Sequence, residues 1–478
     1  MLMGFDAYGS YDGLGLAALV ANKKAKPLEL IDAAIARAEA VNPKLNAIIF
    51  EDYERAREAA KGKLPKGAFS GVPFLLKDIG AVAQGLPSRQ ASRFMPAFPR
   101  PADSYLVQKF KAAGLNLFGV TNVPEFGLVA STESKLYGTA SNPWNLAHST
   151  GGSSGGAAAA VAAGIVPLAH ANDGGGSIRI PAGACGLVGL KPSRGRISQG
   201  PFVADALDGL ATDLVVSRTV RDTAAALDAA RGNMPGDPYA EPPAPDSYLA
   251  AAARKPKQLR IAFSAKKVDG TPVHADCAAA VKHAAKACEK LGHIVEEVSP
   301  ALDLNALMGA FTLFWGGGLA AGIDTIARLT GQTPSRELFE GLTWSMYLNG
   351  KQATASDYLQ AKEMVNVASR EMGRFHQTYD VWLTPTLGRP PEKNGVFDFD
   401  DTDLLKSFAP QIDYVPFTAL QNVTGQPAIN IPLYWNKDNL PIGTQFVGSF
   451  GDELTLLKLA AQLEKSNPWS ARYANIKV

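Results

Sequence analysis

The sequence predicts an α/β protein with a central mixed, largely parallel β-sheet covered by helices on both faces. Three observations point there. Through the first half of the chain, short apolar runs of strand length alternate with longer runs of helical period, the pattern of strands joined by crossover helices. The composition is core-rich, with 46% hydrophobic and 19% charged residues, and carries no signature of disorder. The two densest glycine turns enclose a compact apolar helix–strand unit, which a flexible linker would not do.

Taken in order, residues 14–24 and 27–41 read as amphipathic helices. In the second, Leu30, Ile31, Ala34, Ile35 and Ala38 keep a helical period, and Asn42-Pro43 is expected to end it. Residues 46–50 read as a strand, 52–61 as a charged helix, 103–113 as a helix and 115–121 as a strand. Residues 157–163, nearly all alanine, are strong helix formers, and 165–169 read as a short buried strand. A helix follows at 217–230, with Thr219 or Ser217 as its cap. Residues 231–257, rich in proline, glycine and alanine, read as a linker or boundary. Strand 259–264 and helix 274–291 come next, with His283 and Cys288 on the core or flank of that helix. Residues 304–378 read as mostly helical and are loaded with aromatics. Strand 381–384 leads to a long loop at 389–412. Strands at 426–432 and 441–447 join through a turn at Lys437-Asp438-Asn439, and 454–463 is a closing helix. No internal repeat is visible. One domain over 1–478 is expected, its core in about 60–230 and 380–470, with a more variable pocket-forming helical region at about 304–378.

Charge and cysteine usage narrow the function. The net charge is +2 and no lysine/arginine run is present, so no nucleic-acid partner is expected. Three cysteines without CxxC spacing and six scattered histidines argue against a disulfide framework and a zinc site, and fit a reducing cytoplasm. No metal and no cofactor are expected. Asp6 and Asp12 precede the first apolar stretch and Lys23-Lys24 follow it, the wrong charge order for a secretory signal. No uninterrupted apolar run is of bilayer-spanning length, so no membrane partner is expected either. A homodimer is left open.

The stretch 151–184, GGSSGGAAAAVAAGIVPLAHANDGGGSIRIPAGA, organises the chain. Its first turn holds Gly152, Ser153 and Ser154; its second holds Gly174, Gly175, Gly176 and Ser177. A helix and a strand between the turns fold the second back beside the first, so that Ser153 and Ser177 could meet. Acyl transfer by serine needs a base in reach and preorganised N–H donors for the oxyanion. Three glycines before Ser177 offer such donors, each typically contributing about 2.7–4 kcal/mol to barrier stabilisation. Lys77, inside the apolar run 71–79, is the candidate base. Free lysine has a pKa of about 10.4, so it acts as a base at neutral pH only when burial lowers that value. Asp173 and Arg179 read as a hydrogen-bonded pair bracing the second turn.

These pieces resemble the amidase-signature hydrolases. The likeness rests on GVPFLLKD at 71–78, the GGSSGG turn, DGGGSIRIP at 173–181, Cys185-Gly186, GLKP at 189–192, SRTVRD at 217–222, GQPAINIP at 425–432 and LPIGTQFVG at 440–448. It extends over about 14–470. It implies the family's fold and a Ser–cis-Ser–Lys triad, with Ser177 as nucleophile, Ser153 as relay after a cis Gly152–Ser153 peptide, and Lys77 as base. The N–H groups of Gly174, Gly175, Gly176 and Ser177 would form the oxyanion hole. Gly174 stands where the family usually has threonine. SNPWN at 141–145, AHANDGGGSIRIPA at 169–182 and RGRIS at 194–198 resemble the branch of cyclic nylon-oligomer hydrolases and urethane-cleaving relatives. The expected activity is hydrolysis of an apolar or aryl amide, anilide or carbamate through an acyl-enzyme. Asn122, Phe126, Gly127, Phe311, Phe314 and Trp315 are the candidate pocket residues.

Three alternatives are weighed. The catalytic subunit of an amidotransferase would share the triad and stays open. The pattern Gly151-x-Ser153-x-Gly155 formally matches a nucleophile elbow, but that motif should follow a buried strand, and residues 142–148 do not read as one. A phosphate-binding loop is disfavoured because no GK[ST] follows either glycine turn.

Overall fold

The computed structural model describes residues 5–478; residues 1–4, the start of the expected domain, lie outside the described residues. The centre is an eight-stranded sheet. Its order is Ile294–Glu297, Arg260–Phe263, Val381–Pro385, Pro441–Gly448, Ala428–Trp435, Val188–Lys191, Thr212–Ser217 and Leu168–Asp173. Helices flank it, among them Gly155–Ala162, Val220–Ala230, Ala275–Lys290 and Glu453–Ser466. The sheet is mixed, as expected, but its parallel share is smaller than expected. Arg260–Phe263 runs parallel to both of its neighbours, while the other five pairings are antiparallel. The reason lies in how the strands are shared out. Helix–strand alternation between residues 100 and 190 feeds two sheets instead of building successive parallel units in one.

The second sheet has three strands, in the order Ile48–Glu51, Asn116–Thr121, Pro73–Lys77. Pro73–Lys77 and Asn116–Thr121 are parallel, with helix Tyr105–Ala112 lying between them in the chain. All five residues of Pro73–Lys77 are buried, because Phe74, Leu75 and Leu76 join the main apolar cluster. The C-terminal end of this strand lies against Leu168–Asp173, at the edge of the large sheet. That contact carries Lys77 to the two glycine turns.

Several elements differ from expectation. The helix begun at Pro27 continues through Pro43 to Leu45. Val41 and Leu45 are buried in the core, and Asn46, with φ +48°, supplies the left-handed C-cap. The strand expected at 165–169 lies at Leu168–Asp173, so its end delivers Asp173 directly into the second glycine turn. Residues 231–257 are no free linker. Arg196 donates to the carbonyls of Pro242 and Pro243, and Asp228 accepts from the N–H groups of Tyr248 and Leu249 at the start of helix Tyr248–Ala252. The loop expected at 389–412 ends early, in helix Leu404–Tyr414. A short helix at Ala419–Thr424 was not anticipated.

Helix Leu304–Thr330 has the length and apolar composition to cross a membrane, where no run of that length was expected. Half of its most apolar window is buried inside the protein, where Leu307, Phe311, Phe314 and Trp315 join the second apolar cluster. It packs against helices Gly341–Gly350 and Ala355–Thr378. At the first contact two backbones nearly touch: a Cβ on Gly350 would collide with the carbonyl of Gly316. Gly317, one residue on, faces open space. Gly350→Ala is therefore expected to destabilise the protein by about 1–3 kcal/mol. Gly317→Ala is expected to be neutral or to stabilise by up to about 1 kcal/mol through helix propensity. Denaturant titration of the two variants checks the pair, and equal effects would contradict the close approach.

Candidate active site

Lys77 ends the Pro73–Lys77 strand and is 1% exposed. Its Nζ donates to Ser153 Oγ at 2.8 Å and to Asn172 Oδ1 at 2.5 Å. Its backbone N–H donates to His170 Nδ1 at 3.2 Å. With Nδ1 accepting, the imidazole proton sits on Nε2 and is donated to Asp213 Oδ1 at 3.0 Å. Burial in this apolar setting lowers the lysine pKa to about 7, although the charges of Asp213 and Asp173 pull the other way.

The first turn presents Ser153 to that lysine. The Gly152–Ser153 peptide is cis, as the resemblance implied. A Cβ on Gly152 would lie 2.7 Å from both Ser131 N and Val129 O, so the turn is pressed against a neighbouring segment. Ser154 Oγ donates to the Asn172 carbonyl at 3.3 Å, tying the turn to the strand that carries Asp173. Residues 145–149, just upstream, form a mainly exposed strand paired with Ser141–Asn142, not the buried strand of a nucleophile elbow.

The second turn is shaped by Asp173. Its carboxylate accepts from Gly176 N–H at 2.7 Å and from Ile178 N–H at 3.1 Å. It also receives Arg179 Nη2 and Nε, each at 2.9 Å, both residues being fully buried. Burial alone would raise the Asp173 pKa, but the Arg179 guanidinium holds it down at about 2. The bracing pair expected from the sequence is therefore present. The remaining Arg179 N–H groups face Gln421 and Gln445 from Nη1, and Asn422 and the Thr418 carbonyl, which share Nη2. Gly176 has φ +132°, and a Cβ there would run into Thr418 Oγ1, so only glycine fits.

This geometry corrects one expected role. The Gly176 N–H is committed to Asp173 and the residue lines neither cavity beside Ser177. Gly174, Gly175 and Ser177 do line them, leaving the N–H groups of those three residues as the candidate oxyanion donors. Gly174 also has a local reason. A Cβ there would meet the Trp315 ring at 2.8 Å, and one on Gly175 would meet Phe311 at 3.0 Å. The stacked Phe311–Trp315 pair, with ring centroids 4.9 Å apart, lies directly over the glycine turn.

Two cavities flank Ser177, of about 330 Å³ and 250 Å³. Ser177 lines both; Ser153 lines only the smaller. Ser153 and Lys77 are hydrogen-bonded, whereas Ser177 opens into the cavities without a bond to Ser153. Among the expected pocket residues, Phe126, Gly127, Phe311 and Trp315 line these spaces. Asn122 does not: its side-chain amide donates to the carbonyls of Asn46 and Gly138 and holds loops together. Phe314 points elsewhere as well, packing edge-on against Tyr358. The sequence reading missed Asn172 and His170, although both break an apolar strand at alternate positions and so share a face. Asp213, Thr418 and Asn422 carried no local signal.

A buried lysine bonded to a serine, beside a second serine on a glycine turn, is the arrangement of an amidase-signature hydrolase of carbon–nitrogen bonds. The Amidase family model matches residues 29–457, and the chain belongs to that family. It is 37% identical over 473 residues to the 6-aminohexanoate-cyclic-dimer hydrolase of Paenarthrobacter ureafaciens, covering 96% of each chain. The crystal structure of a 6-aminohexanoate cyclic dimer hydrolase complexed with substrate superposes with a TM-score of 0.92 at 36% identity, over 98% of this chain and 100% of the other. A bacterial aryl acylamidase of the amidase-signature family superposes with a TM-score of 0.89 at 26% identity, over 97% and 98%.

The depressed lysine has a stability signature. Between about pH 7 and the unfolded value near 10.4, Lys77 is protonated unfolded and neutral folded, so the unfolded state binds more protons and stability rises with pH. Below pH 7 the buried ammonium costs the folded state most. Lys77→Met is accordingly expected to stabilise the protein at pH 6, on the order of 3 kcal/mol, with the gain shrinking as pH approaches 10. Urea denaturation of both proteins across that range measures it; a gain independent of pH would show that the lysine is not desolvated.

Proposed function

We propose that the protein is a stand-alone serine amidase acting on uncharged amides with apolar or aryl substituents, carbamates included, through an acyl-enzyme on Ser177. One observation carries this reading: Lys77 is buried, lowered to a pKa of about 7, and bonded through Nζ to Ser153 on the cavity that Ser177 also lines. At neutral pH a substantial fraction of such a lysine is unprotonated and able to take a proton.

Ser177 Oγ attacks the carbonyl carbon and its proton passes through Ser153 to Lys77. The N–H groups of Gly174, Gly175 and Ser177 receive the oxyanion. The C–N bond then breaks, and the departing nitrogen takes a proton back along Lys77 and Ser153. Water then attacks the acyl carbon and gives a proton to Lys77 through Ser153; the bond from the acyl carbon to Ser177 Oγ breaks, the proton returns through Ser153 to Ser177 Oγ, and the acid leaves. The apolar walls, the Phe311–Trp315 stack and the similarity to a cyclic-dimer hydrolase and an aryl acylamidase support aliphatic oligoamides and anilides as the substrate class.

Hydrolysis of para-nitroanilides from acetyl to longer acyl groups, with a para-nitrophenyl carbamate alongside, tests the reading. Ser177→Ala and Lys77→Ala are each expected to lower kcat/KM by about 10³-fold or more. In the wild type, kcat/KM should rise with pH through about 7 as Lys77 loses its proton. Lys191, also buried and lowered to about 7, bonds only the Pro192 carbonyl, so Lys191→Met should leave that limb in place. Full activity in Ser177→Ala would reject the nucleophile. A folded but inert wild type would favour acyl transfer within a larger assembly.

A further inference from the structure

Two cavities meet at Ser177, and Ser153 lines only one of them. Ser177, Leu128 and Trp315 line both spaces and so form the waist between them. The larger space extends towards Met308, Phe408 and Ile412 and opens beside the Lys267–Asp413 ion pair. The smaller extends towards Leu207, Ile323 and Ile326. Ser153 and Asn172, which hold Lys77 Nζ, line only the smaller.

Collapse of the tetrahedral intermediate needs a proton on the leaving nitrogen, and a proton donor acts only within hydrogen-bond reach. The nitrogen therefore has to lie on the Ser153 side of the waist. From this we infer that the smaller lobe binds the amine portion of the substrate and the larger lobe the acyl portion, with Trp315 as the partition. The assignment rests on the Ser177–Ser153–Lys77 reading above. It specifies the substrate class further: an amide with an apolar group on each side of the C–N bond, the acyl side having more room and a polar outlet at its far end.

The wall of the amine lobe is built to hold its size. Leu207 and Asp208 both adopt left-handed backbone angles, φ +56° and +54°, which non-glycine residues occupy only when their surroundings hold them there. Asp208 is tied to helix Ala355–Thr378 by Tyr358 Oη at 2.7 Å and Lys362 Nζ at 3.2 Å. Leu207 sits so close to helix Leu304–Thr330 that a Cβ on Gly318 would lie 2.5 Å from its side chain. Gly322, one helical turn on, lines the same lobe and faces open space.

The test uses two kinds of substitution on the intact protein. Gly322→Leu adds bulk to the amine lobe at a position with room for it. Met308→Trp fills the acyl lobe, with Ile412→Trp in its place should that variant not fold. Each is assayed on N-methyl amides of acyl length two to ten carbons, and on acetamides of amines from methyl to hexyl. Met308→Trp is expected to lower the long-to-short acyl ratio of kcat/KM at least tenfold and to change the amine ratio less than threefold. Gly322→Leu should do the reverse. A swapped pattern, or both variants acting on the same side, overturns the assignment.

Covalent labelling of Ser177 by alkyl fluorophosphonates of increasing chain length, read by mass spectrometry, separates this failure from that of the underlying mechanism. No labelling of Ser177 in the wild type rejects the nucleophile. Labelling whose chain-length dependence is unmoved by Met308→Trp and by Ile412→Trp rejects the acyl lobe alone.

Discussion

The buried Asp173–Arg179 pair is the constraint on which the rest of the site depends. A turn of three glycines has almost no intrinsic shape, because glycine loses more conformational freedom on folding than any other residue. Here the Asp173 carboxylate gathers the N–H groups of Gly176 and Ile178, while Arg179 anchors that carboxylate to helix Ala419–Thr424 and strand Pro441–Gly448 through Gln421, Asn422 and Gln445. Asn422 closes the ring by donating to Asp173 itself. A buried pair of this kind contributes little net stability, since desolvation offsets its attraction, but losing one partner is costly. Its value lies in position. It ties Ser177 to segments more than 200 residues away in sequence.

Two buried lysines show why a perturbed pKa does not by itself mark a catalytic group. Lys77 and Lys191 are both 1% exposed, and burial lowers both to about 7. Lys191 has only the carbonyl of its neighbour to bond and the Arg179 charge nearby. Lys77 faces Ser153 and Asn172. Perturbed groups cluster at active sites, but structural ones shift equally, and here the two lysines differ in geometry: Lys77 bonds a serine that lines a cavity, Lys191 a backbone carbonyl. The network behind Lys77, His170 on its N–H and Asp213 on His170, fixes the strand end and so the direction of the ammonium.

Much of the site was legible because its signals are local. A lysine inside an apolar strand, two glycine–serine turns, and an alanine helix between them are each visible within about ten residues. The fold class was legible for the same reason, through the alternation of helical and strand periods. What escaped depends on contacts between distant segments. Gly176 looked equivalent to its two neighbours until Asp173 claimed its N–H. Asn122 and Phe314 were expected in the pocket, yet one braces loops and the other packs on Tyr358. Pro43 should have ended a helix by propensity, but core burial of Leu45 carried the helix past it.

The sequence by itself singled out the candidate serines, lysine and glycine turn, because each needs a particular residue type in a particular local backbone. Of the helical region expected at 304–378, only helix Leu304–Thr330 lines the cavities beside Ser177, and composition alone did not single it out from the other two. Strand direction was decided only in three dimensions, since hydrophobic period says which face of a strand is buried and nothing about which neighbour it pairs with. So was the division of the cavity into two lobes around Ser177, which exists because the Phe311–Trp315 stack on one helix is pressed against glycines 174 and 175 on a turn far from it in the chain.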